Sequence, residues 1–565
     1  MNSNWRRSLD GPATEPGDAI ALAGPLVASL VGFVPLVALT GRSIGVGLLP
    51  ALLGALAVVG VGYLAYVYVR NQVVAGAYVS FFVLSTFAAN LPLASQEFYR
   101  VTSGTVGPQL WLFQGPLLVV VGYLLWAREY TVDSFSKTEL VFGSFVVWTV
   151  VTAFLGAGPR TDVALYFAWL LAQAWVVFTV VGRGVERGLV SLESVVTTYV
   201  VTVVGHAAFG AAQLWNDSPL GLTFLGEGVT WHPPLSFVVG GEYQLIPTGF
   251  TGHGYVLVSL ILLTFPATLV FVHRSDSVSG VPALLGALVS VIFLRLTTSD
   301  AGRGAFLVVT VCLVAGIVAL SKLSSAPRGR SLREQFRDAS SSTYRSFLAL
   351  VTGVLVVLSP SSRSGSSSKQ VGPIDPTDPN ETPTGGSTPT GGQTQTPVDV
   401  SEITSISIPL FDLTYLGPRV QQVLVGLEMF VRNPIFGVGG GNYRFVAGTY
   451  GLPVKESLSV PPSLHNIYVL LLAETGLPGF LLYFGSIALV VSSGLRSALQ
   501  GHKPYLQLSI LVSFVGYLAL LFFTHLVDNA NSLLPFWALA GAVVGERLVD
   551  EDGGTERSPA VTSDQ

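Results

Sequence analysis

The sequence predicts an all-α polytopic membrane protein with about 12–14 transmembrane helices and one large external loop. Three observations carry that reading. Half of the 565 residues are hydrophobic and only 11% are charged, whereas soluble domains carry about 25% charge. Apolar runs recur, many of them roughly 17–25 residues long, enough to cross about 30 Å of hydrocarbon as helices. The runs are continuous rather than alternating, which favours helices over a barrel.

Taken in order, the expected spans cover residues 20–40, 44–69, 73–90, 109–127, 139–157, 163–182, 190–214, 251–273, 280–296, 304–321, 346–359, 477–495, 505–525 and 532–546. The span at 346–359 is short, and it is kept because the alternation of sides requires it. With that alternation most of the 29 Lys and Arg residues fall on one side, among them Arg70, Arg128, Arg183, Arg187, Arg274, Arg328, Arg333 and Arg547. The positive-inside rule makes that side cytoplasmic, with both termini inside a multi-pass plasma-membrane protein. Two Asn-x-Ser/Thr sequons, at Asn216 and Asn380, fall outside, where they could be glycosylated. The net charge of -4 is divided between two faces, and the lipid bilayer, not nucleic acid, is the expected surface partner. The single cysteine, Cys312, lies inside a span, so neither a disulfide framework nor a cysteine metal cluster can form. The first span is longer than a signal-peptide core and reads as a retained anchor.

The chain divides accordingly. Residues 1–19 form a cytoplasmic tail, 20–320 the N-terminal helix bundle, 321–345 a basic cytoplasmic loop and 346–359 a further span. Residues 360–400, rich in Ser, Thr, Gly and Pro, cannot bury a core and read as a disordered external tether. Residues 401–476 form the external loop proper, 477–546 the C-terminal spans and 547–565 a cytoplasmic tail. Within the loop, ITSISIPLF reads as a short strand. Residues 419–432 have a helical period, with an apolar stripe of Val420, Val423, Leu424, Leu427 and Val431 opposite Gln421, Glu428 and Arg432. Asn433-Pro434 ends that helix, which is expected to lie on the outer membrane surface.

Polar chemistry gathers in RNPIFGVGGGNYRF and PSLHNIYVLLLAETGLPGF, residues 432–445 and 462–480. His465 opens an apolar helix at the water–lipid boundary, and an imidazole titrating near neutrality suits proton transfer. Asn466 can cap that helix or hold a ligand hydroxyl. Glu474 lies about two and a half turns further on, on the opposite face, so a structural role near the Gly476-Leu477-Pro478-Gly479 break is expected. The glycine run from Gly437 to Gly441, with Gly439 and Asn442, is either a simple turn or a backbone that lets N–H groups approach phosphate or sugar. Arg303 is expected at the outer end of a span after Thr-Thr-Ser-Asp, where a guanidinium would fork phosphate oxygens or pair with Asp300. Arg295 lies deeper and needs a partner or a polar cavity. His253, at a helix start, is a candidate sugar contact. No HExxH motif, outer carboxylate pair or Cys/His cluster occurs, so no metal or other cofactor is expected.

In this order the pieces resemble the O-antigen ligase and Wzy-type O-antigen polymerase superfamily. The resemblance rests on Arg303-Gly304-Ala305, Pro434 to Gly441, His465-Asn466 and Glu474 to Gly479, and covers roughly residues 240–545. The chain departs from the usual pattern in the stretched Ser299-to-Arg303 element, the low-complexity insertion and its larger number of spans. The resemblance implies transfer of a glycan from a polyprenyl (undecaprenyl or dolichyl) diphosphate carrier to a hydroxyl of an acceptor glycan, lipid or protein on the outer face. It implies His465 as general base and Arg303 with Arg432 on the diphosphate, shared with Arg419 or Arg444. Asn466, His253, Gly439 and Asn442 are the candidate glycan contacts. Ligase and polymerase remain equally open, and the reading from another class is a transporter or flippase for lipid-linked glycans.

Overall fold

The computed structural model describes residues 16–37, 48–70, 72–93, 109–127, 135–216, 218–228, 236–239, 242–274, 280–296, 300–324, 416–451, 463–500 and 503–556. The expected span at 346–359, the tether at 360–400 with Asn380, and the ITSISIPLF strand lie outside the described residues.

Helix α1 (Pro16–Ala28) continues through a π turn at Ser29–Phe33, and α2 (Leu48–Val69) and α3 (Val73–Leu84) follow. Strands β1 (Asn90–Pro92) and β2 (Gln109–Trp111) pair antiparallel, with Leu91 opposite Leu110, and α4 (Gln114–Trp126) leads away from them. Then come α5 (Lys137–Leu155), α6 (Thr161–Glu186) and α7 (Leu192–Asn216). A hairpin of β3 (Ser236–Val239) and β4 (Glu242–Leu245) precedes α8 (Gly254–Arg274), α9 (Gly280–Leu296) and α10 (Asp300–Ser324). The C-terminal part contains α11 (Leu416–Arg432), α12 (Ile467–Gln500), α13 (Pro504–Leu521) and α14 (Ala530–Glu556). Among the described residues, eight helices are long and apolar enough to cross a membrane, and five shorter apolar ones accompany them. The chain is a helical multi-pass membrane protein.

Two expected spans differ from the structure. At 73–90 the helix stops at Leu84, and at 109–127 it starts only at Gln114. Helices of 12 and 13 residues reach about 20 Å, too short to cross the hydrocarbon unaided. The reason is local. The Ser85 and Thr86 hydroxyls donate to the Phe82 and Val83 carbonyls, the Ala88 N–H goes to Phe250 O at 2.8 Å, and Pro92 has no N–H to give a helix. Apolar content alone does not reveal this hairpin.

The core centres on Trp537 of α14, which is fully buried. Phe142 of α5 stacks on it with ring centroids 3.8 Å apart, while Phe178 of α6 and Tyr483 of α12 meet it edge-on at 5.7 and 5.9 Å. Glycine allows α6 and α14 to approach this closely. A Cβ on Gly541 would stand 2.2 Å from Phe178 O, and one on Gly545 would stand 2.3 Å from Gly182 O. The Gly541/Gly545 spacing is the small-xxx-small pattern of packed membrane helices. Gly545→Leu is therefore expected to destabilise the protein by about 1–3 kcal/mol or more through overpacking. It would be read as a lower unfolding midpoint in detergent. Gly122→Leu, at a position with nothing within 4 Å, should leave the midpoint unchanged.

The two ends of the bundle differ in chemistry. At one, Lys503 lies between Glu193 (3.5 Å) and Glu546 (3.1 Å), and the buried Arg183 lies between Glu186 (2.8 Å) and Glu139 (3.4 Å). The described residues that follow α3, α5, α7, α11 and α13 gather at the other. There the Glu227 carboxylate accepts from the N–H groups of Leu220 and Leu222, both at 2.6 Å, and from Gln213 Nε2 at 3.0 Å. Gln213 Oε1 in turn accepts the Thr248 and Gly249 N–H groups. That buried lattice fixes the approach to α8 and so the place of His253.

Candidate active site

The site is built on a break in α12. Gly476 has φ 67° and ψ -176°, a conformation open essentially to glycine alone. Breaking a helix orphans the carbonyls of its last turn, and the glycine run takes them up. Val438 N–H donates to Ala473 O at 2.9 Å and Gly439 N–H to Glu474 O at 2.8 Å, while Leu477 N–H returns to Pro434 O at 2.9 Å. Trp148 Nε1 donates to Thr475 O at 2.9 Å. The backbone N–H groups of Gly437, Val438 and Gly439 thus all have protein acceptors. Of the two readings of the run, the structure shows a helix-capping turn at these three positions. Gly439, at φ 85°, also approaches Thr152 O and the Asn442 amide.

The neighbouring polar side chains hold the same frame. Glu474, 2% exposed, accepts the Tyr443 N–H on Oε1 at 3.0 Å, the structural role its position on the helix suggests. Asn442 Oδ1 accepts the Arg160 N–H at 3.0 Å and its Nδ2 donates to Arg160 O at 3.1 Å, so it clamps the loop before α6. Asn466 caps the first arm of α12, accepting Val469 N–H on Oδ1 at 3.1 Å.

Helix α11 presents a different inner face from the expected stripe. Gln422, Val425 and Met429 are buried, while Leu424, Leu427 and Val431 are exposed, Val431 by 72%. The helix has two apolar faces, one against protein and one free for lipid, and periodicity alone does not rank them. Gln422 is thereby brought to His465. Its Oε1 lies 3.2 Å from Nδ1 of the ring and accepts the His465 backbone N–H at 3.3 Å.

A second imidazole meets the first. His525, in the turn between α13 and α14, stands edge-on to His465 with ring centroids 4.9 Å apart. Its Nδ1 is buried without a hydrogen-bond partner among the described residues. Burial lowers His465 to about 3, assisted by His525, Arg419 and His253, with the Ser463 carbonyl acting the other way. Burial likewise lowers His525 to about 4, assisted by His253 and Arg444. His253 is exposed at the start of α8, and its Nδ1 accepts the Tyr255 N–H at 3.1 Å. The structure therefore draws together His465, His525, His253, Arg419 and Arg444.

The other arginines are placed differently. Arg303 occupies the first turn of α10, whose Ala305 and Val309 pack against Gly516 of α13, the helix that leads into the His525 turn. Arg432 is paired with Glu428 and lies over the Tyr450 ring, 5.0 Å from its centroid. Asn216 ends α7 with its side chain exposed and bonded to Ser218 Oγ at 2.6 Å.

Sequence reasoning missed Gln422 and His525. The signal for Gln422 was its spacing with Val425 and Met429, at i, i+3 and i+7. For His525 it was the polar run Thr524, His525, Asp528, Asn529 and Asn531 between two spans.

Two neutral, half-buried imidazoles make stability depend on acid. The unfolded chain takes up protons near 6.5, and the folded protein only near 3 and 4 at these two positions. Between those limits the unfolded state binds more protons, so stability falls as pH drops below about 6.5. The unfolding midpoint in detergent should decline between about pH 6.5 and 4, and His525→Gln should remove part of that slope.

No curated protein matches the chain. Residues 401–484, which span α11, the capping turn and the His465 arm of α12, match the model of the O-antigen ligase family (Wzy_C), so this part of the multi-pass membrane protein is similar to that family.

Proposed function

We propose that the protein is a membrane glycosyltransferase that moves an oligosaccharide or polysaccharide from a polyprenyl diphosphate carrier to an acceptor hydroxyl on the external face. The observation that carries this reading is the meeting of a neutral His465 with guanidinium and imidazole groups at one end of the bundle. His465 takes the proton of the acceptor hydroxyl as its oxygen attacks the anomeric carbon. The bond to the diphosphate breaks on the opposite side, so configuration inverts. Arg419 and Arg444, with Arg303, stabilise the charge that develops on the leaving diphosphate. Arg432, engaged with Glu428 and Tyr450, contributes less. His525 offers its Nδ1 to the bound headgroup or sugar. The exposed stripe Leu424, Leu427 and Val431 seats α11 in the outer leaflet, where the isoprenoid carrier would present its headgroup.

The test is a transfer assay with purified protein, a lipid-linked oligosaccharide and candidate acceptors, analysed for product and anomeric configuration. Metal-independent transfer with inversion is expected, weakened by Arg419→Ala and Arg444→Ala. Movement of intact donor between leaflets without any new glycosidic bond would overturn the proposal. Product length separates the two branches of the class, since a polymerase extends lipid-linked units and a ligase discharges them onto a final acceptor.

A further inference from the structure

Deepening the assignment of His465 as base, and resting on it, we propose that Gln422 is a positioning residue that selects Nε2 of His465 as the basic nitrogen. Gln422 Oε1 accepts the His465 backbone N–H at 3.3 Å. A backbone N–H can only donate, so the amide must turn its oxygen, not its NH2, toward His465. This contact resolves the orientation that an amide side chain otherwise leaves open. The same oxygen lies 3.2 Å from Nδ1. An amide oxygen only accepts, so Nδ1 carries the proton and Nε2 keeps its lone pair for the substrate.

The support behind Gln422 is firm. Its side chain is buried, and its own carbonyl accepts the Tyr443 hydroxyl at 3.0 Å. Tyr443 is in turn bound through its N–H to Glu474 of α12. The contact from α11 to His465 therefore closes a ring of hydrogen bonds through the capping turn.

The arrangement is that of a base held by an orienting partner, with one difference. In Ser-His-Asp sites the orienter is a carboxylate that also stabilises the imidazolium. Here it is uncharged. The groups that act on His465 among the described residues are Arg419 from α11, His525 from the turn after α13, His253 from the start of α8 and the nearby Ser463 carbonyl. None is a carboxylate. Gln422 thus fixes the tautomer without adding a negative charge, and the ring stays unprotonated well into the acid range.

The experiment uses the full-length purified protein and a lipid-linked oligosaccharide, with kcat and KM measured between pH 4 and 9. In Gln422→Glu a carboxylate would face the ring, and its proton affinity should rise by about 1–3 units. The acid limb of the rate profile should move toward neutrality by the same amount. Gln422→Leu should lower kcat roughly tenfold or more, in line with the loss of an orienting contact, with KM little changed. Magnetic resonance of 15N-histidine-labelled wild type should show Nδ1 protonated and Nε2 bare at His465, a readout that holds even if a variant fails to fold. An unshifted profile in Gln422→Glu while His465→Ala is inactive, or a spectrum with the proton on Nε2, would overturn the role of Gln422 alone. Undiminished transfer by His465→Ala would instead remove the base assignment beneath it.

Discussion

Glycan transfer by His465→Ala is expected to fall by about 10²–10⁴, the usual contribution of a positioned general base, with donor binding largely retained. The side chain lies outside the buried frame: Leu464, Asn466 and Ile467 hold the backbone there, and the ring itself is half-buried. Removing it leaves the Asn466 cap and the glycine turn in place, so the variant should be recovered from membranes at normal levels. The measurement is single-turnover transfer together with donor affinity. A large drop in rate at unchanged affinity assigns the ring to chemistry, whereas a parallel loss of affinity would assign it to binding. If the rate were near normal, the base would have to be another group, and His525 would be the first to examine.

A larger structural effect is expected at Gly476. A methyl group there would stand 2.0 Å from Ile435 O and 2.4 Å from its carbonyl carbon, and the backbone lies at φ 67°. Leaving a glycine-only conformation costs about 1–3 kcal/mol, and the collision with backbone adds to it, since no side-chain rotation can relieve it. Gly476→Ala should therefore cost roughly 3 kcal/mol or more and shift Pro434, Leu477 and the capping turn together. Reduced recovery from membranes and a lower unfolding midpoint are the readouts. Gly304→Ala, at a position with nothing within 4 Å, serves as the control and should behave as wild type. A Gly476→Ala protein with wild-type stability would mean that the break is not a fixed feature of the fold.

The sequence revealed the helical membrane architecture because hydrocarbon thickness imposes a length and a composition on every spanning helix. It also placed the break at Gly476, since Gly-Leu-Pro-Gly is hard to reconcile with an unbroken helix. The shortness of α3 and α4 was hidden, because an apolar strand and an apolar helix look alike in a hydropathy profile. The partners of His465 were hidden for a different reason. Gln422 and His525 lie 43 and 60 positions from it in sequence, and only packing decides that α11 turns Gln422 inward while Leu424 faces out. By type and neighbourhood Asn442 suggests a glycan contact, yet its amide clamps the Arg160 backbone, a pairing fixed by the approach of a loop 282 positions away.

The capping turn couples two regions that differ in water access. The amides of Val438, Gly439 and Leu477 belong to a loop and a helix break, yet each donates to a carbonyl across the junction. In deuterium-exchange measurements they should behave as one cooperative unit with the arm of α12, opening only when that arm opens. A ligand gripped by the loop would then slow isotope uptake deep along the helix, and a lipid perturbation of the helix would be felt at the loop.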